Sequence, residues 1–149
     1  AWQLYNEAKK YIGNGTIKLG VDNFKMVLLK SASNASTFTL STYAQLSAEV
    51  ATAAGYVAGG RALVPATGQW IVNPANAKQM KFTMSAIGIA FTASGANIAD
   101  IKFAVIRNST GTTAGKLLCW CKLSSSQFTV ATPNTLTVLP AATGIFTLT

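Results

Sequence analysis

From Thr16 to the end of the chain, apolar and polar residues alternate with a period of two, the spacing that sends successive side chains to opposite faces of a strand. Residues 16–19 and 24–29 read as the two arms of a hairpin around Gly20, Val21, Asp22 and Asn23, with Phe24, Met26 and Leu28 alternating against Lys25. Further strands are predicted over 61–64, 78–84, 87–91, 101–107, 117–122, 128–130, 136–139 and 144–149. Before Thr16 the period changes: Leu4, Ala8, Tyr11 and Ile12 form one helical stripe, so residues 2–12 read as a short helix that Gly13 and Gly15 stop. The stretch between 31 and 60 is less regular. SASNAST is a polar loop, Tyr43, Leu46 and Val50 have the spacing of one or two helical turns, and Gly55, Gly59 and Gly60 punctuate the run up to Arg61.

About eight to ten short strands broken by turn signals are the pattern of a β-sandwich or jelly roll. The expected fold is therefore all-β, a jelly-roll-like sandwich over residues 14–149 behind an amino-terminal helix over 1–13, in one domain. A chain of 149 residues is long enough to bury a core unaided.

Composition narrows the function. There is no His, and the only acids are Glu7, Asp22, Glu49 and Asp100. Acid–base and nucleophilic catalysis draw mainly on His, Asp, Glu and Cys. A nucleophile with a His base is ruled out, the acids stand far apart in sequence, and no Gly-rich phosphate loop is present. The expectation is a protein that is not an enzyme and carries no cofactor. Cys119 and Cys121 lie on one face of a predicted strand, about 6.6 Å apart at the usual rise, near the limit a disulfide spans. They read as free buried thiols, and no imidazole is available to complete a metal site.

Twelve Lys and Arg against four acids give a net charge of +8. That balance favours an acidic partner. The cations are scattered, with Lys9 and Lys10 the only adjacent pair, so nucleic acid is not expected as the main ligand. The first residues, AWQLYNEAKKYIG, lack the basic and apolar blocks of a secretory signal, and no stretch reaches the ~18 apolar residues of a membrane span. A soluble protein made in the cytoplasm is expected, with no membrane partner and with Ala1 exposed by removal of an initiator Met.

Several stretches, read in order, resemble a family of small structural proteins of tailed bacteriophages. NGTIKLGVDNFKMVLLKSASNAS is similar to that family's first hairpin, and TYAQLSAEVATAAGYVAGGRAL to its "Y-s-d-L-t-n-E-V … G-Y-t-a-G-G-k-x-L" segment. IKFAVIRNSTGTTAGKLLCWCKL resembles a later pair of strands, and TGIFTLT the closing one. Where the family's first hairpin carries acids this chain has Asn14, Lys18 and Gly20, and Asn108 and Ser109 stand where acids follow the later strand. The resemblance implies a cement or decoration protein that dimerises or trimerises on the outer capsid surface, bound to the major capsid protein in the virion. A tail or neck protein and a host-glycan-binding module are the alternatives.

Trp2, Tyr5, Tyr43, Tyr56 and Arg61 are the candidate interface residues, because Tyr, Trp and Arg are enriched among interface anchors. The alternative for the tyrosines is packing as lids on the sandwich. Glu49 is placed to pair with Arg61. Trp120, between the two Cys, should face away from them and be covered by the helix, a loop or a second subunit.

Overall fold

FKMVLLK has five of its seven side chains buried, so this strand, β2 (Phe24–Lys30), has to lie inside a sheet with both faces covered. The computed structural model describes residues 1–149 and places it there. The other elements are β1 (Gln3–Leu4), α1 (Asn6–Gly13), β3 (Arg61–Ala62), β4 (Gln69–Asn73), β5 (Asn76–Thr83), β6 (Ile89–Thr92), β7 (Ile98–Asn108), β8 (Leu117–Lys122), β9 (Phe128–Val130), β10 (Thr135–Val138) and β11 (Phe146–Leu148). The main sheet has the order β1-β8-β7-β2-β3, with β9 also paired to β7. Two smaller antiparallel sheets, β10-β6 and β11-β5-β4, supply the opposing layer.

Phe24 meets Phe82 of β5 edge-on at 5.3 Å, and Phe82 stacks on Phe146 of β11 at 5.3 Å, so aromatic side chains join the layers. One continuous cluster of 31 buried residues runs through all three sheets. The all-β fold with a short amino-terminal helix is as expected, and the second layer is divided into two sheets.

Three local expectations change. The helix begins at Asn6, because Gln3 and Leu4 pair with Trp120 and Cys119 and close the edge of β8. An otherwise open sheet edge gains more from that ladder than a short helix gains from one added turn. Residues 16–19 form no strand and lead through bends into a turn over 19–21: Lys18 N donates to Asp22 Oδ2 at 2.9 Å, and Asn108 Nδ2 donates to the same oxygen at 2.7 Å. The long-range partner of β2 is β7, in register from Phe24 opposite Asn108 to Lys30 opposite Ile101. The strand β4 lies between Gly68 and Pro74, where turn residues hid it.

Cross-strand register puts Cys119 and Cys121 on the face of β8 shared with Ile106, Ala104, Met26 and Leu28. Both are buried free thiols. Trp120 faces the other way and is covered by a loop residue, Phe38, edge-on at 5.7 Å, with Phe103 at 6.2 Å. Burial pushes the Cys121 thiol up to about 12 and Cys119 well above its ordinary value, and the thiolate is the reactive form. A thiol reagent at pH 8 is therefore expected to label neither Cys in the folded protein and both in denaturant. Stoichiometric labelling of the native state would contradict this packing.

Candidate functional site

The connection between β2 and β3 is laid along the edge of β2 by its own backbone. Lys30 N donates to Ala48 O at 2.8 Å, Val50 N donates to Leu28 O at 3.1 Å, and Leu29 and Glu49 form a bridge. Further upstream, Thr42 and Gln45 close a capping box around the single turn Tyr43–Gln45, which turns the Tyr43 ring toward the sheet. A tight turn from Ala53 to Tyr56 returns the chain. Three side chains thereby converge.

Glu49 is the hub. Its Oε1 accepts from the Tyr56 hydroxyl at 2.7 Å and from Gly59 N at 2.7 Å, and its Oε2 accepts from the Tyr43 hydroxyl. The Tyr56 oxygen also accepts from Leu28 N at 3.1 Å, so this phenol takes the place of a ladder partner on β2. Arg107 of β7 donates through Nη2 and Nε to Gly59 O at 2.8 and 3.2 Å, and its guanidinium carbon lies 4.5 Å from the centre of the Tyr43 ring. The cluster is closed: carboxylate, two phenols, one peptide group and one guanidinium each hold the next.

The phenols are held in the protonated form. Burial first, then the hydrogen bond to Glu49, pushes Tyr43 up to about 12, and the same two causes raise Tyr56 further. A neutral hydroxyl that donates to a carboxylate is a structural bond, and the arrangement holds the 43–60 connection against the main sheet.

Of the five candidate interface residues, two are corrected. Tyr5 is fully buried and its hydroxyl donates to Ala35 O at 2.7 Å. Tyr56 is only 2% exposed. Burial of a large ring with a satisfied hydroxyl stabilises more than surface display, so both are core residues. Trp2 and Tyr43 are half-buried and Arg61 is exposed. Glu49 and Arg61 do not pair: the carboxylate is occupied by the tyrosines and Gly59, while Arg61 Nη1 donates to Ala90 O of β6. Nothing in the sequence singles out Arg107, which joins the cluster only through the fold. The available signal is Glu49 itself, one of four acids and set among tyrosines and glycines that supply donors.

Beside the cluster, between β3 and β6, is a cleft of about 430 Å³ lined by Tyr56, Val57, Lys25, Arg61 and Phe91 among others. No three Cys, Asp or Glu side chains come together as a potential metal-binding group. No helix is long and apolar enough to cross a membrane. Comparison with protein-family models, curated protein sequences and solved structures finds no match to this chain.

Proposed function

We propose that this chain is a structural subunit of a tailed-bacteriophage virion, a cement protein that binds the outer face of the head as a homodimer or homotrimer and holds neighbouring capsid subunits together. The observation that carries the reading is the convergence of the residues on which the resemblance is densest. Tyr43, Glu49, Tyr56 and Gly59 make one hydrogen-bonded cluster, with Gly60 packed beside it. A motif spread over 18 positions is thus accounted for by one fold-defining contact, as expected if the chain shares the architecture of that family.

The surface fits the same role. Val64, Ile87 and Leu139 are 45%, 73% and 57% exposed and lie together, since Ser85 N donates to Val64 O at 2.7 Å and Gly88 packs against Leu139. An exposed apolar group on a subunit of net charge +8 suits a partner that presents apolar pockets in an acidic surface. Each copy would add its buried area to the energy needed to separate capsid subunits, multiplied over an icosahedral lattice.

Purified protein is expected to sediment with empty phage heads, to release as salt screens the basic surface, and to lose association when Ile87 and Leu139 are both changed to Asp with the melting temperature unchanged. Binding to tails, or to host glycan with none to heads, would replace this reading. Absence of the protein from purified virions would end it.

A further inference from the structure

We propose that the cleft between β3 and β6 is a docking site for an extended, acidic segment of a partner protein. The inference goes beyond the cement reading and does not depend on it, since it concerns what this cleft recognises rather than where the protein sits.

Two sheet edges flank the cleft. β3 is the terminal strand of the main sheet, and β6 is paired on one side only, with β10. Ala93 N donates to Asn134 O, which fixes the phase of the β6–β10 ladder. By the alternation of an antiparallel strand, the backbone groups of Ala90 and Thr92 point away from β10. The Ala90 carbonyl confirms the direction by accepting from Arg61 across the gap. With the Ala90 carbonyl taken by Arg61 and the Thr92 carbonyl against Gly55, the Ala90 N–H is an edge group left to a ligand, and a free edge donor of this kind is one that an extended peptide carbonyl can join.

The chemistry of the lining selects among peptides. Lys25 and Arg61 line the cleft and no acid does; Tyr56 and Phe91 form its buried floor, and the apolar side chain open to a ligand is Val57, 65% exposed. Glu49, which touches the lining residue Tyr56, already accepts from two phenols and a backbone amide, and Asp22, three residues before Lys25, accepts from Lys18 N and Asn108 Nδ2. The site therefore offers two cations with no acid in the lining, one exposed apolar side chain and one free edge donor. A segment alternating carboxylate and aliphatic side chains matches all three, because strand side chains alternate between faces.

The test is fluorescence anisotropy with a labelled ten-residue peptide of alternating glutamate and valine, blocked at both ends, against the same peptide with glutamine for glutamate. Saturable binding of the acidic peptide is expected. The glutamine peptide and the variant carrying Lys25→Ala and Arg61→Ala should each bind at least ~10-fold more weakly, the scale of losing charge-assisted contacts. Val57→Asp, at an exposed position that cannot compromise the core, should weaken binding similarly. A control with Lys9→Ala and Lys10→Ala on α1 should bind as the unaltered protein does. No binding, equal binding of the glutamine peptide, or equal weakening in the α1 control would overturn the assignment. Each of these results leaves head association, measured separately, untouched.

Discussion

Gly60→Ala is expected to destabilise the protein by about 2–5 kcal/mol, which for a chain of this size lowers the melting temperature by roughly 5–15 °C. Two costs combine. Gly60 has a φ of +83°, in the left-handed region where a Cβ costs about 1–2 kcal/mol. A Cβ there would also fall 2.6 Å from Val27 Cγ1 and 2.7 Å from the Met26 carbonyl carbon, with the Met26 oxygen closer still. Both neighbours belong to β2, which β3 and β7 hold on its two sides, so neither can retreat cheaply. Gly15→Ala is the matched control: φ is +74°, and no atom lies within 4 Å of the added carbon. It should cost only the conformational part, about 1 kcal/mol. Thermal melts of the two variants beside the parent measure the difference, and equal losses would mean that the chain at Gly60 does not approach β2 as closely as described.

A contact of that kind, between a loop glycine and a distant strand, is what residue patterns leave out. The apolar runs in residues 101–107, 117–122 and 128–130 locate β7, β8 and β9, even though Phe103 to Ile106 and Leu117 to Cys119 are buried on both faces rather than at alternate positions. Periodicity carries no information about partners. Residues 16–19 alternate acceptably and sit beside a turn, yet the preferred neighbour of β2 is β7, about 75 residues away, since only a long central strand can cover its full length. The candidate site divides in the same manner. Glycines and tyrosines in the 43–61 segment announce a special conformation, but Arg107, which completes the cluster, comes from β7 and is brought there by register opposite Lys25. Residue type alone favours Tyr5 and Tyr56 as surface anchors. Their burial depends on hydroxyl partners, Ala35 O, Leu28 N and Glu49, that only the folded chain supplies.

Removing the hub carboxylate by Glu49→Ala should cost about 2–4 kcal/mol, because hydrogen bonds to a charged acceptor are stronger than neutral ones and the buried Tyr56 hydroxyl is left without an acceptor. The variant should also change the pH dependence of stability. In the unfolded chain the tyrosines titrate near 10, whereas in the folded chain Tyr43 is pushed up to about 12 and Tyr56 is raised further, by burial and by Glu49. The folded state therefore keeps protons that the unfolded state releases. Their contribution is complete below pH 10 and is lost as pH rises from there through the folded-state values, the direction that linkage requires when the folded form binds more protons. Buried Cys119 and Cys121 add a loss that begins nearer pH 9, again because burial raises both thiols. Denaturant midpoints of the parent should fall steadily between pH 9 and pH 12. In Glu49→Ala the thiol contribution and the burial of the phenols persist, but the part due to the carboxylate is gone, so the variant starts less stable and declines less steeply above pH 10. Parallel curves for the two proteins would mean that Glu49 does not hold the tyrosine protons, and the cluster would then be a neighbourhood of independent bonds rather than one coupled contact.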